Sequence, residues 1–180
     1  MESVAIKYPR SYHLSFSQGL QNDDRRIEDE SCFNGKTVVV TVKMDGENTS
    51  LYRDGLHARS LSSAHHPSRS VIKSLHSTIK NDIPERWRIC GEAMFATHSI
   101  HYTDLESYFY VFSVWNENNE CLPWASTYGF CMENVLTLVP VLGFVQIEGG
   151  NFSEVEKYYH DAVSQGHEGI VIRNVESYHY

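Results

Sequence analysis

The residues of this chain best suited to chemistry are a lysine and two carboxylates at the end of an apolar run. Val38–Val40 and Val42 are β-branched and predict a buried strand. Lys43 follows directly, with Asp45 expected on the same face of an extended chain and Glu47 two residues further on. A lysine whose ammonium is partly desolvated loses its proton more easily and becomes a nucleophile that forms covalent intermediates. The stretch predicts either such a nucleophile on rigid scaffolding or a surface ion pair of Lys43 with Asp45 or Glu47.

The elements that must position this stretch follow from the hydrophobic pattern. With 180 residues and 41% hydrophobic content, the chain can form one domain with a full core. Asp54-Gly55 between two strand-like runs predicts a hairpin, whose return strand would bring Arg59 near Lys43. Predicted strands cover 36–44, 48–53, 56–61, 87–95, 108–115, 141–147 and 168–173, and predicted helices cover 71–80, 124–139 and 154–164. This alternation predicts an α+β fold.

The last predicted helix has signals at both ends. Ser153 followed by Glu156 is the spacing of a capping box, with the serine as the N-cap residue. Gly166 is expected to end the helix, because glycine tolerates the left-handed conformation found there. The strand that follows therefore starts next to Glu168.

Three more side chains are candidates for ligand binding because of the predicted strands in which they lie. Glu92 lies in an apolar run, where a carboxylate needs either an arginine partner or a ligand. Phe112 lies in an aromatic run, where alternate rings either fill the core or face a ligand. Glu168 lies at the start of a predicted strand rich in β-branched residues, either as a surface residue or as a ligand-binding carboxylate.

Composition narrows the class of protein. No run of 18 apolar residues and no signal-peptide pattern is present, so we expect a soluble cytoplasmic protein without a membrane partner. The four cysteines are widely spaced and lack a Cys-x-x-Cys pair, which favours reduced thiols over disulfides or a zinc site. The net charge of −8 argues against a protein that coats nucleic acid over a long surface, but leaves room for a local basic groove.

Five segments, taken in order, resemble the motifs of the covalent nucleotidyltransferases, the superfamily of DNA ligases, RNA ligases and mRNA capping enzymes. Lys43-Met44-Asp45-Gly46 resembles motif I, and Arg59-Ser60 resembles motif Ia. The segments that resemble motifs III, IIIa and IV are Ile89–Ala93, Phe109–Trp115 and His167–Arg173. Motifs I, III, IIIa and IV stand in the expected order, and together they span most of the chain, from Lys43 to Arg173.

The resemblance implies a fold and a reaction. The fold would be a nucleotidyltransferase (ATP-grasp-like) domain over 1–180, with two mainly antiparallel β-sheets flanked by helices and with residues 1–34 as an N-terminal extension packed on it. Lys43 would attack the α-phosphorus of ATP and form lysyl-AMP. The nucleotide would then pass to the 5′-phosphate of a nucleic acid strand, and a 3′-hydroxyl would displace AMP and join the strands.

The resemblance also implies the roles of individual residues. Lys43, Asp45 and Arg59 would be catalytic, with Asp45 orienting the lysine or contacting metal. Glu168 would hold Mg²⁺ or Mn²⁺. Glu92 would bind the ribose hydroxyls, and adenine would stack on Phe112. The full set implied to bind nucleotide is Val42, Lys43, Asn48, Arg59, Glu92, Phe112 and Glu168.

Asn48, five residues after the lysine, resembles RNA ligases and makes ATP-dependent joining of RNA ends the first choice of function. A DNA nick-sealing ligase and a capping-type guanylyltransferase are alternatives of the same class. Motif V, a basic pair that grips the α-phosphate, has no counterpart after Arg173. The chain is therefore expected to be truncated before motif V, lacking a C-terminal segment or fused repair domains, or else degenerate. A degenerate chain would be a non-catalytic module that binds adenine nucleotide or RNA.

Overall fold

The computed structural model describes residues 5–18, 24–61, 69–96 and 99–179. Within these ranges lie ten β-strands and three α-helices, where the hydrophobic pattern predicts seven strands and three helices. The strands are β1 (Lys36–Val42), β2 (Glu47–Tyr52), β3 (Gly55–Ala58), β4 (Arg88–Ala93), β5 (Phe109–Trp115), β6 (Glu120–Cys121), β7 (Thr137–Leu138), β8 (Val141–Ile147), β9 (Ile170–Asn174) and β10 (Tyr178–His179). The hydrophobic pattern does not predict β6, β7 or β10. The helices are α1 (Ser70–Ile79), α2 (Trp124–Glu133) and α3 (Ser153–Ser164), and a 3₁₀ turn covers Glu30–Phe33.

The described strands form two sheets. The smaller sheet has the order β8-β1-β9, with β1 in the centre. The larger sheet has the order β10-β6-β5-β4-β2-β3, with β7 added in parallel beside β5. All other pairings between these strands are antiparallel. The expectation of an α+β fold with two mainly antiparallel sheets flanked by helices is confirmed.

Three apolar clusters pack the two sheets and the helices against one another. One lies between the two sheets, a second between the larger sheet and helices α1 and α2, and a third between the smaller sheet and α3. Strand β1 contributes to both of its faces, because Val38 and Val40 pack toward α3 whereas Val39 and Val42 pack toward the larger sheet. Burial on both faces explains why the valine run is continuous instead of alternating with polar residues.

The N-terminal segment enters the space between the sheets. Tyr8 is buried there, edge-on to the rings of Phe112 and Trp115. The backbone N–H of Ile6 donates to the hydroxyl of Tyr52 at 3.0 Å, which ties the segment to the end of β2. The boundary of the predicted extension at residue 34 stays a prediction.

The prediction of one helix over 124–139 is wrong in its second half. Helix α2 ends at Glu133, and Val135 has a positive φ of 54° that no α-helix can contain. The next apolar residues form β7 beside β5, with Leu136 and Val139 buried. No glycine marks this helix end, and apolar residues continue through it, so the hydrophobic pattern alone could not locate it.

The predicted capping box at Ser153 is also wrong. The N-cap residue of α3 is Phe152, which makes no side-chain cap, and Ser153 already lies in the first turn. The backbone N–H of Ser153 donates to the side-chain oxygen of Asn151 at 3.0 Å instead. The predicted end is confirmed, since Gly166 follows the helix with a φ of 87°. No described helix has the length and apolar character needed to cross a membrane.

Candidate active site

Lys43 stands where the central strand of the smaller sheet ends. Val42 is buried and pairs with Ile170 at the start of β9, and the N–H of Lys43 donates to the carbonyl of Gly169 at 3.0 Å. The Nζ of Lys43 donates to the carboxylate of Glu168. The two side chains are 42% and 38% exposed, so the pair is reachable from solvent. Pairing of β1 with β9 thus brings together two residues that are 125 positions apart.

The alternative surface ion pair of Lys43 with Asp45 or Glu47 does not form. The strand stops at Val42, and the carboxylate of Asp45 accepts hydrogen bonds from Ser99 and Ile100. Glu47 lies in β2 and forms a bidentate ion pair with Arg69. The Nε of Arg69 donates to Oε2 of Glu47 at 2.9 Å, and Nη2 donates to Oε1 at 2.6 Å. This pair fastens the start of α1 to the motif that carries Lys43.

Three neighbouring strands of the larger sheet carry a row of polar residues, one of which interacts with Lys43. Asn48 of β2 lies opposite Glu92 of β4, which lies opposite Tyr110 of β5. Burial raises the pKa of Glu92 to about 7, although the charge of Lys43 and a hydrogen bond from the backbone of Gly46 act to lower it. A raised carboxylate pKa of this kind is common in ligand-binding clefts.

The raised pKa of Glu92 predicts a pH-dependent stability. The ordinary value of about 4.5 applies to the unfolded chain, so between about pH 4.5 and pH 7 the folded chain binds more protons. The free energy of unfolding should therefore fall by up to about 3 kcal/mol as the pH rises through this window. Glu92→Gln should match the wild type at pH 4, below the unfolded pKa, and exceed its stability at pH 8 in urea unfolding. Glu148→Gln, which changes an exposed glutamate, is the control, and an equal difference at both pH values would contradict the prediction.

Two buried polar atoms near this row have no hydrogen-bond partner among the described residues. They are the Oδ1 of Asn48 and the Nε of Arg59. The two residues are in contact, since the backbone N–H of Arg59 donates to the carbonyl of Asn48 at 2.8 Å. Buried polar atoms are normally satisfied, so an acceptor and a cationic donor in this position fit a polar ligand such as a nucleotide.

Phe112 occupies an irregular position in β5. Val111 pairs with Gly91 and Ser113 pairs with Cys90, so the register with β4 skips Phe112. Such a bulge re-aims a side chain. Phe112 is 4% exposed. Its ring centroid lies 5.1 Å from that of Tyr8, which is edge-on, and 4.9 Å from the Cζ of Arg173. Stacking of adenine on Phe112 stays a prediction, and it requires one of these neighbours to move aside.

The carboxylates fit a divalent cation that keeps water and substrate ligands. In the described part of the chain, no group of three or more His, Cys, Asp or Glu side chains could hold a metal alone. Glu168 and Glu92 interact as like charges beside Lys43. Mg²⁺ is typically bound through one or two carboxylates together with substrate phosphates, which matches this donor set.

Sequence reasoning missed four residues of this region: Arg69, Ser99, Ile100 and Tyr102. Arg69 belongs to an arginine-rich stretch in which no position stands out. The other three lie on a connection between β4 and β5 and contact Asp45 from more than 50 residues away. Neither hydrophobic periodicity nor motif spacing reports such contacts.

Comparisons with known proteins agree with this fold. The family model named RNA ligase matches residues 36–179. The fold resembles an archaeal ATP-dependent RNA ligase at 21% identity and a TM-score of 0.65, over 81% of this chain and 41% of that one. It resembles a Naegleria gruberi RNA ligase with pyrophosphate at 17% identity and a TM-score of 0.62, over 81% and 48%.

A variant of the Naegleria ligase with ATP and Mn gives 14% identity and a TM-score of 0.58, over 81% of this chain and 48% of that one. The present chain thus spans less than half the length of these solved structures. A comparison with curated proteins gives no significant match.

Proposed function

We propose, because this chain belongs to the RNA ligase family, that it is the nucleotidyltransferase part of an ATP-dependent ligase of RNA ends. The observation that carries the proposal is the solvent-accessible contact of Lys43 with Glu168 at the end of β1. A lysine fixed by its own backbone, beside carboxylates and reachable from solvent, can act as a nucleophile toward a bound phosphate.

In the proposed first step, the free amine of Lys43 forms a bond to the α-phosphorus of ATP. The bond from that phosphorus to the bridging oxygen breaks, and pyrophosphate leaves with the electron pair. Lys43 must lose one proton before attack and a second one as the nitrogen–phosphorus bond forms. The carboxylate of Glu168, which accepts a hydrogen bond from the amine, is positioned to pass these protons to solvent. Arg59, whose buried Nε has no hydrogen-bond partner among the described residues, would donate to the phosphates.

A divalent cation, Mg²⁺ or Mn²⁺, would be held by Glu168, with Glu92 nearby, and would offset charge on the phosphate oxygens. Glu92 and Asn48 would bind the sugar and neighbouring polar groups of the nucleotide, and Phe112 the base. In the later steps, the AMP passes to a 5′-phosphate of RNA and is displaced by a 3′-hydroxyl. An intracellular location is part of the proposal, because ATP is abundant there and all four cysteines are free thiols.

The test of the proposal is transfer of label from α-labelled ATP to the protein in the presence of Mg²⁺. A band that survives denaturing electrophoresis is expected with ATP and not with GTP, whereas a capping-type enzyme would take label from GTP. Supply of 5′-phosphorylated RNA should then discharge the label more readily than nicked DNA does. ATP binding without any covalent label would contradict the proposal and support a non-catalytic binding module.

A further inference from the structure

The connection between β4 and β5 fastens the turn that carries Lys43. One carboxylate oxygen of Asp45, Oδ2, accepts hydrogen bonds from the N–H of Ser99 at 2.7 Å, the hydroxyl of Ser99 at 2.7 Å and the N–H of Ile100 at 2.8 Å. In the opposite direction, the N–H of Asp45 donates to the hydroxyl of Tyr102 at 3.1 Å. Four hydrogen bonds thus join Asp45 to a segment more than 50 residues away.

These contacts are charge-assisted on the side of the Asp45 carboxylate, and part of the segment packs against the core, although Ser99 itself is exposed. Three of them have a carboxylate as the acceptor, and charge-assisted hydrogen bonds of this kind are about twice as strong as neutral ones. Tyr102 and Leu105 also pack against the apolar cluster between the sheets. Met94, Ile100 and Tyr102 line one small cavity together with Asp45. The segment is therefore part of the packed structure and can hold what it contacts.

Lys43 lies between two fixed points of the backbone. On its N-terminal side, β1 ends and the N–H of Lys43 donates to the carbonyl of Gly169. On its C-terminal side, residues 43–46 belong to no strand, and Asp45 is fixed by the hydrogen bonds from Ser99, Ile100 and Tyr102. Loss of the second fixed point would let the turn, and with it the lysine amine, move relative to Glu168.

We propose that Ser99 and Tyr102 form a latch, residues 99–102, which positions Lys43 through Asp45. Asp45 then acts as a positioning residue, because its Oδ2 is occupied by the latch instead of by the lysine. The inference rests on the proposed function, since the rate of lysine adenylation is the quantity that the latch would control. A displacement on the order of 1 Å of a reacting group can cost about a hundredfold in rate.

The test compares rates of label transfer from α-labelled ATP. Tyr102→Phe keeps the packed ring and removes only the acceptor for the N–H of Asp45. Ser99→Ala removes one of the three donors to its carboxylate. Both should lower the rate at saturating ATP, Tyr102→Phe by about ten- to a hundredfold. The ATP concentration that gives half the maximal rate should change less than about threefold, because neither residue belongs to the proposed nucleotide contacts.

Matched controls come from the same chain. The carboxylate of Asp29 accepts hydrogen bonds from the N–H and the hydroxyl of Ser31, both at 2.8 Å, so Ser31→Ala removes an equivalent bond at the 3₁₀ turn. The hydroxyl of Tyr52, at the far end of β2, accepts a backbone N–H at 3.0 Å and also lies 3.2 Å from the Nε2 of His57, so Tyr52→Phe removes a phenol with at least as many contacts. Both controls should take label at the wild-type rate.

Two results would overturn the latch. One is label transfer at the wild-type rate in both Tyr102→Phe and Ser99→Ala, and the other is an equal loss of rate in Tyr52→Phe. Amide hydrogen exchange gives a separate readout, since exchange over residues 43–46 should be at least about tenfold faster in Tyr102→Phe than in Tyr52→Phe. If the wild type takes no label, the proposed function fails. The exchange experiment then still decides whether the latch holds the turn.

Discussion

Lys43→Ala is expected to abolish covalent label from α-labelled ATP, by at least about a thousandfold relative to the wild type. The physical reason is that the proposed intermediate is a bond between this nitrogen and phosphorus, and alanine supplies no atom to form it. The fold should persist, because the chain at residue 43 is held by its backbone bond to Gly169 and its side chain is 42% exposed. Nucleotide binding should also persist, since the proposed contacts to the sugar and base are made by other residues.

The measurement is the amount of label that stays on the protein after denaturing electrophoresis, with equilibrium ATP binding measured in parallel. Lys36→Ala is the matched control, because Lys36 begins the same strand and is exposed at its opposite end. It should take label at the wild-type rate. A labelled Lys43→Ala protein would mean that another nucleophile carries the nucleotide, and the proposed role of Lys43 would be wrong.

The strand that precedes Lys43 was predictable from its β-branched valines. A run of β-branched residues without polar alternation indicates burial on both faces, and β1 is the central strand of its sheet with a layer on each side. The hairpin of β2 and β3 followed from Asp54-Gly55, and the structure pairs Tyr52 with Gly55 and Thr49 with Ala58. These predictions use signals that lie within about ten residues.

The arrangement of the site was less predictable, because it depends on sheet order and register. That Asn48, Glu92 and Tyr110 lie in one row requires β2, β4 and β5 to be neighbours in a particular register. Phe112 has no pairing partner in β4 because the register shifts there, and an aromatic run in the sequence does not reveal such a bulge.

Contacts of isolated polar residues were not predictable at all. The ion pair of Glu47 with Arg69 joins β2 to the start of α1. The hydrogen bonds from Ser99 to Asp45 join the β4–β5 connection to the β1–β2 connection. Each contact depends on the packing of whole layers, and a single side chain leaves no periodic trace. Motif resemblance indicated which residues carry the chemistry, whereas their supports become visible only in three dimensions.

Glu168→Ala should lower the rate of label transfer by about a hundredfold or more, the second largest effect expected in this chain. Its carboxylate accepts a hydrogen bond from the amine of Lys43, and it is the residue proposed to hold the divalent cation. Glu168→Gln separates these roles, because the amide keeps a hydrogen-bond acceptor of the same shape and loses the charge.

If the charge matters, Glu168→Gln should react nearly as slowly as Glu168→Ala, and more Mg²⁺ should be needed for half of its maximal rate. The measurement is the initial rate of labelling over a Mg²⁺ titration. Glu176→Gln changes an exposed glutamate two residues after β9, the strand that Glu168 precedes, and should behave as the wild type. A Glu168→Gln rate within about threefold of the wild type, at unchanged Mg²⁺ dependence, would show that Glu168 only orients the lysine. The cation would then have to be held elsewhere, and Glu92 would be the next carboxylate to test, because it interacts with both Lys43 and Glu168.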